Sequence, residues 1–196
     1  MVRIDKIYFI NSEQRADRKE HMKGWLKECV PENKIERIEA VCSEDNAYLK
    51  IQSHIKVLEA FIESGHPVCC IFEDDFSPVD RVKFWIYIAR VFFVKVDFDL
   101  VQFTHDALTS TETEHKFLVK PEHAQVAAGY MITKEFAPTL LEYFKTQTEE
   151  SYNSDTRVTE ESVLSKWFIH VPNLGYQAES SENIMETMHA VFEANM

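Results

Sequence analysis

The chain is short of the residues that break, bridge or positively charge a polypeptide. Its 196 residues hold only 4 glycines and 6 prolines, and neither a low-complexity tract nor an internal repeat is present. No linker is therefore expected, and residues 1–196 read as one domain. Cys29, Cys42, Cys69 and Cys70 are the cysteines. They form no CxxC and no paired Cys/His spacing, which excludes a structural zinc site and a disulfide framework. Cys69 and Cys70 are neighbours in an apolar run, where they read as small hydrophobes packed on opposite faces of a strand. Lys plus Arg number 21 against 33 Asp plus Glu, a formal net charge of -12 at pH 7. That balance argues against nucleic acid or an anionic membrane as the main partner, and a phosphate ligand would need a cation or a few placed basic residues. No apolar run reaches the ~18 residues of a membrane span. The N-terminal stretch MVRIDKIYFINSEQRADRKE lacks the apolar core of a secretory signal, so a cytoplasmic location is the expectation.

Hydrophobic periodicity supplies the order of elements. Lys6 to Asn11, KIYFIN, is a β-rich run that stops at a polar Asn-Ser break. From Arg15 to about Glu28, Met22, Trp25 and Leu26 share a helical face. Ile35 to Val41 alternates as a half-exposed strand, and Asn46 to Ser64 is a helix stopped by SGHP. A strand from Val68 follows, then a turn beginning at Ser77-Pro78, a helix from Arg81 to about Lys95, and strands at DLVQF and QVAAGYMI. Lys134 to Lys145 and Thr159 to Trp167 are predicted helices, the latter opened by a T-x-x-[ED] cap or by Ser154/Asp155. Trp25, Trp85 and Trp167 fall at helical spacing and read mainly as core, with one exposed indole free to stack on a sugar. Strands alternating with helices from the start imply an α/β sandwich with a mostly parallel sheet.

The most informative stretch is VCCIFEDDF, residues 68–76, a buried strand running into three adjacent acids. Acid runs are usually solvated turns. In an open α/β sheet, however, the ligand site lies beyond the carboxyl ends of the strands. Glu73, Asp74 and Asp75 stand at such an end, where a divalent cation on hard carboxylate oxygens would offset their repulsion.

Several segments match a known pattern in its order. IDKIYFINSEQRADR supplies a strand ending in Ile10-Asn11, then Arg15, Asp17 and Arg18. YLKIQSHIKVLEAFIESGHPVCCIFEDDF supplies Ser53-His54, a helix, a strand and the acidic triplet. DLVQF, AAGYMITKEFAPTLLEYF, NSDTRV and VPNLGYQAESSENI follow. Over nearly the whole chain these pieces resemble glycosyltransferase family 25, which includes lipooligosaccharide galactosyltransferases and collagen hydroxylysine galactosyltransferases. The resemblance implies a GT-A fold, a Rossmann-like α/β/α sandwich that binds a nucleotide sugar, usually with Mn²⁺ (or Mg²⁺), and transfers the sugar with inversion. It further implies a UDP-sugar donor, with galactose or glucose favoured, and a glycan or hydroxylated protein acceptor.

On that reading Asp75 is the direct metal ligand, with Glu73 as a second, and Glu73 or Asp74 reaches toward the ribose. Asp155 matches the family's late Asp and is the candidate base, with Glu160 and Glu161 as rivals; its plainer role is a helix cap. Asn11 would face the nucleotide base or simply close a turn, while Arg15 and Arg18 would meet the diphosphate or pair with Asp17 or Glu20 on the helix surface. Ser53, His54, Gln177 and Ser180 or Ser181 complete the expected lining, although a helical histidine is commonly a structural hydrogen-bonder. His170 and His189 are candidates for a third metal ligand. Two other classes compete: a GT-A-like binding or assembly module without chemistry, and a metal-dependent phosphohydrolase using the same carboxylates.

Overall fold

The computed structural model describes residues 4–41, 47–104, 109–124, 128–148 and 161–177, with the backbone alone described at 47, 161 and 162. The elements are β1 Lys6–Asn11, α1 Ala16–Cys29, β2 Ile35–Glu39, α2 Ala47–Ser64, β3 Val68–Glu73, β4 Phe76–Pro78, α3 Arg81–Phe93 and β5 Leu100–Gln102. They continue as β6 Ser110–Glu112, β7 Leu118–Pro121, β8 Gly129–Thr133, α4 Ala137–Thr146, α5 Glu161–Leu164, β9 Trp167–His170 and β10 Gly175–Gln177. One 8-stranded sheet runs β2-β1-β3-β8-β5-β9-β7-β6, and β10 and β4 form a separate pair.

β1 lies parallel to both β2 and β3, and β5 parallel to β9, whereas β8 is antiparallel to its two neighbours. With β7 antiparallel to β6 and β9, only β7 and β8 oppose the common direction, so the sheet is mixed and mostly parallel, as expected from the sequence. Helices cover both faces, which is why β1 and β3 read as continuous apolar runs. On one face Tyr8, Ile10, Cys69 and Ile71 pack against Leu58 and Phe61 of α2 and Leu140 and Phe144 of α4. On the other, Ile7, Phe9, Cys70 and Phe72 meet Trp25 of α1 and Phe84 of α3. Cys69 and Cys70 thus divide between the two cores, as two successive strand residues must.

Tertiary pairing redirects two local expectations. Ser77-Pro78 does not start a turn; it lies in β4, antiparallel to β10 through Tyr176↔Ser77 and Gly175↔Pro78. Of the helix expected from Thr159 to Trp167, the described part is Glu161–Leu164, and Trp167 opens β9 instead. WFIH is bulky and β-prone, and between β5 and β7 it is buried in the sheet, where packing overrides a weak helical period. Trp25 and Trp167 are core residues, and Trp85 is half-buried against Trp25. The helix caps also differ in kind. Asp80 caps α3, accepting from the amides of Val82 and Lys83 at 3.0 and 2.9 Å, whereas Arg15 at the start of α1 makes no side-chain cap bond. Thr159 and Ser154, offered as caps from the sequence, lie outside the described residues.

Candidate functional site

Because β1 and β3 are adjacent and parallel, with Ile10 opposite Glu73, their last residues emerge side by side at one edge of the sheet. Asn11 closes β1 and is buried. Its Nδ2 donates to Asp74 Oδ2 at 2.7 Å and to the Arg15 carbonyl at 3.0 Å. Its Oδ1 accepts from Arg37 Nε at 2.9 Å, and Arg37 Nη2 also reaches the Asn11 carbonyl at 3.0 Å. Arg37 in turn pairs with Glu39. The Asn11 side chain is therefore occupied in joining β1, β2 and the acid triplet.

The second oxygen of Asp74 accepts from Arg18 Nη1 at 3.0 Å, and that guanidinium nitrogen also stands 3.8 Å from Asp75 Oδ2. Arg18 supplies the positive charge that the triplet requires locally. Arg15 is committed elsewhere, donating from Nε and Nη2 to Asp17 at 3.0 and 2.8 Å on the exposed surface of α1. Of the two arginines expected near the site, the structure places Arg18 on the acids and Arg15 in the surface pair.

Glu73 is held from the α2 side. His54 Nε2 lies 3.3 Å from Glu73 Oε1, and its Nδ1 lies 2.9 Å from the Tyr130 hydroxyl of β8. The imidazole is buried and stacked on the Tyr130 ring, so His54 serves as a structural link between β8 and the acid. From the opposite direction, Gln177 Nε2 at the end of β10 donates to Glu73 Oε2 at 3.4 Å. Ser53 is next to His54 in sequence but takes no part in this cluster. Its hydroxyl accepts from the Val41 amide at 3.0 Å and donates to the Leu49 carbonyl at 3.1 Å, tying α2 to the end of β2.

Asp75 differs from its two neighbours. Its Oδ1 is buried with no hydrogen-bond partner. Burial, followed by the charge of Glu73, pushes its carboxyl up to about 7 despite the opposing pull of Arg18. A buried carboxylate oxygen without a donor is costly, so this atom is where the cluster is electrostatically incomplete.

Other candidates fall away from this point. His170 ends β9, three places from β3 in the sheet order, about 14 Å at ordinary strand spacing. Its ring packs against Tyr87 and Phe117, so it does not join the acids. Among the described residues, no three His, Cys, Asp or Glu side chains converge as a ready metal cage. Asp155, Glu160, Ser180, Ser181 and His189 lie outside the described residues, and Glu161 is described by its backbone alone. Arg37 and Tyr130 escaped sequence reasoning because nothing local separates them from a surface charge on an alternating strand and a core aromatic.

Solved structures share this arrangement of elements. A glycosyltransferase involved in glycosylating the major capsid protein of PBCV-1 superposes with a TM-score of 0.55, covering 94% of this chain and 98% of its own at 9% identity. The fold is of GT-A type. An apo UDP-glucose pyrophosphorylase also matches, with a TM-score of 0.50 over 97% of this chain and 82% of its own at 8% identity. At such identities the likeness is one of architecture, and it places the chain with glycosyl- and nucleotidyltransferases in fold. No protein-family model and no curated protein sequence matches the chain. Among the described residues of this GT-A-type chain, no helix is long and apolar enough to cross a membrane.

The Asn11 junction gives a direct stability test. Asn11→Ala leaves Asp74 Oδ2 and Arg37 Nε short of partners in a buried setting, at an expected cost of about 2–4 kcal/mol. Urea unfolding measures it; a loss below ~0.5 kcal/mol, the range of an ordinary surface substitution, would show that the junction does not hold the strand ends together.

Proposed function

We propose that the chain is an inverting, metal-dependent glycosyltransferase that moves a hexose, galactose or glucose, from a UDP-sugar to a glycan or hydroxylated protein acceptor. The fold, the resemblance of its segments to glycosyltransferase family 25, and the acids at the carboxyl edge of β3 support this reading. The observation that carries it is Asp75: a buried carboxylate oxygen with no donor beside a second acid is the group that a cation would complete. Mn²⁺ or Mg²⁺ would be held by one or two carboxylates, here Asp75 and Glu73, with substrate phosphates and water supplying the rest. When bound, such an ion supplies Lewis-acid neutralisation of the departing diphosphate.

The protein's own residues have distinct tasks in this scheme. Asp74, fixed by Asn11 and Arg18, sets the backbone on which its neighbours stand, while the partly exposed Arg18 guanidinium offers positive charge to the diphosphate. His54 and Gln177 orient Glu73. The base that takes the acceptor hydroxyl proton is assigned to Asp155, with Glu161 and Glu160 as rivals. Asp155→Asn is expected to lower turnover about 10²-fold while leaving UDP binding intact; unchanged turnover removes Asp155 from the role.

A thermal-shift titration tests the donor. UDP with Mn²⁺ at a hundredfold excess over Kd is expected to add about 2.7 kcal/mol of stability, and UDP without the metal much less. If neither UDP- nor GDP-sugars move the melting temperature at millimolar concentration, the donor assignment is lost. Sugar release to water as fast as transfer would instead point to a phosphohydrolase-like use of the acids.

A further inference from the structure

Helix α3 is apolar on two opposite faces. Phe84, Ile88 and Val91 sink into the core, while Val82, Ile86 and Phe93 are 68%, 58% and 87% exposed. With the half-buried Ala89 the exposed residues recur at 82, 86, 89 and 93, a spacing that aligns them as one stripe along a helix. Val94 extends it, and among the described residues the other exposed large hydrophobic is the isolated Val41. Contiguous exposed apolar surface of this kind marks an interaction site, whereas scattered residues do not. Folding does not require the stripe, because the opposite face of α3 already fills the core.

The charge carried by α3 has one sign. Arg81, Lys83 and Arg90 lie on the helix and Lys95 follows it, with no acid from 81 to 96, in a chain of net charge -12. Arg81 and Lys83 face Glu28 and Asp80 at 2.8 and 3.8 Å, and Asp97 pairs with Lys166 at 2.8 Å. The positive balance of this face therefore rests with Arg90 and Lys95. Arg90 lies over the Phe117 ring at 4.2 Å, a cation–π contact that holds its charge beside the stripe. At physiological salt, exposed charges more than ~8 Å apart are largely screened. A partner at α3 thus meets this local balance rather than the acidic total.

Shape and charge together select the occupant. Two copies of α3 laid stripe to stripe would oppose cation to cation, which disfavours a second copy. Side chains as exposed as Phe93 and Val82 stand out as a ridge and do not line a groove. The boundary between headgroups and acyl chains of a bilayer moulds itself to such a ridge, while flanking Lys and Arg reach the anionic headgroups.

We infer that α3 is a membrane-surface site, with Val82, Ile86 and Phe93 entering the headgroup boundary of an anionic bilayer and Lys83, Arg90 and Lys95 meeting its charged lipids. The chain then lies on the bilayer without spanning it, whatever reaction its acids perform.

Sedimentation of the full chain with vesicles at physiological salt tests this. Vesicles of phosphatidylcholine and phosphatidylserine are expected to bind wild type at least about tenfold more tightly than phosphatidylcholine alone, since each basic residue at an anionic surface strengthens binding roughly fivefold. Ile86→Asp with Phe93→Asp, and separately Arg90→Gln with Lys95→Gln, are each expected to weaken binding by about tenfold or more. All four side chains are exposed, so melting temperatures should stay close to that of wild type. In wild type itself the mixed vesicles should slow hydroxyl-radical labelling of Phe93 severalfold, a readout that depends on no variant folding. Wild type left in the supernatant with both kinds of vesicle overturns the proposal. Equal binding by the Ile86/Phe93 variant, or labelling of Phe93 that the mixed vesicles leave unchanged, does the same. Self-association that the Ile86/Phe93 pair abolishes, without vesicle binding by wild type, overturns it in favour of a second copy.

Discussion

Asp75→Asn is expected to melt at a higher temperature than wild type at pH 7.5 and, in the same experiment, to lose its response to UDP with Mn²⁺. The first effect follows from linkage. The Asp75 carboxyl is raised from 3.8 to about 7 in the folded protein, by burial first and by Glu73 second. Between those values the native state keeps a proton that the unfolded chain has released. Stability therefore falls as pH rises from about 4 to about 7 and levels above that range. The full loss is on the order of 4 kcal/mol, or roughly 8 °C or more in a domain of this size. Asparagine carries no charge to desolvate, so the variant should lack that slope and nearly match wild type at pH 4. The second effect has the opposite sign. On the proposed reading a cation arriving with the ligand would partner the Asp75 oxygen in wild type and not in Asp75→Asn, so turnover is expected to fall by at least about 10³-fold. Identical melting of the two proteins at pH 4 and pH 7.5 would show that Asp75 is not the strained group, and an unchanged response to UDP with Mn²⁺ would remove it from the site.

Gly175→Ala carries the largest expected structural penalty. A Cβ at Gly175 would lie 2.4 Å from the Phe76 ring and 2.8 Å from the Ser77 carbonyl oxygen. The ring cannot step aside: Phe72, Phe84 and Trp25 stand at centroid distances of 4.8, 5.7 and 5.9 Å, and a Cβ at Gly129 would meet the same ring at 2.7 Å. Two strands thus give up side chains so that Phe76, directly after Asp75, can be clamped between them. Overpacking of this kind costs about 3 kcal/mol or more, and here it also loosens β10, which brings Gln177 to Glu73. Thermal melting should show a drop of roughly 6–12 °C together with weaker UDP binding. Phe76→Leu introduced into Gly175→Ala should recover part of the loss by making room, a non-additivity that a double-mutant cycle detects. Strict additivity would mean that the ring and the glycine are not in contact.

These two expectations differ in how far the sequence alone anticipates them. The acids at the end of β3 are visible because VCCIF is an apolar β-run and the charge begins where the run stops. Asn11 and His54 stand out for similar local reasons, at the end of one strand and within one amphipathic helix. The role of each was less legible. Asn11 is bonded to Asp74, Arg37 and the Arg15 backbone, and His54 bridges Tyr130 and Glu73, so both brace the acids from within the protein. Gly175 gives no local sign of its importance, since the atom it must avoid belongs to a residue about a hundred positions earlier.

By itself the sequence determined the alternation of strands and helices, the buried character of β1 and β3, and the place where three carboxylates leave the sheet. Each depends on side-chain periods within a dozen residues. Only the tertiary structure decided that β8 runs against its neighbours, that Trp167 begins a strand, that β10 closes on β4, and that Asp75 alone among the three acids keeps an oxygen without a donor. Those outcomes depend on which groups distant in sequence the packed fold brings within hydrogen-bonding reach, and a carboxylate's partners are set by the three-dimensional neighbours that compete for it.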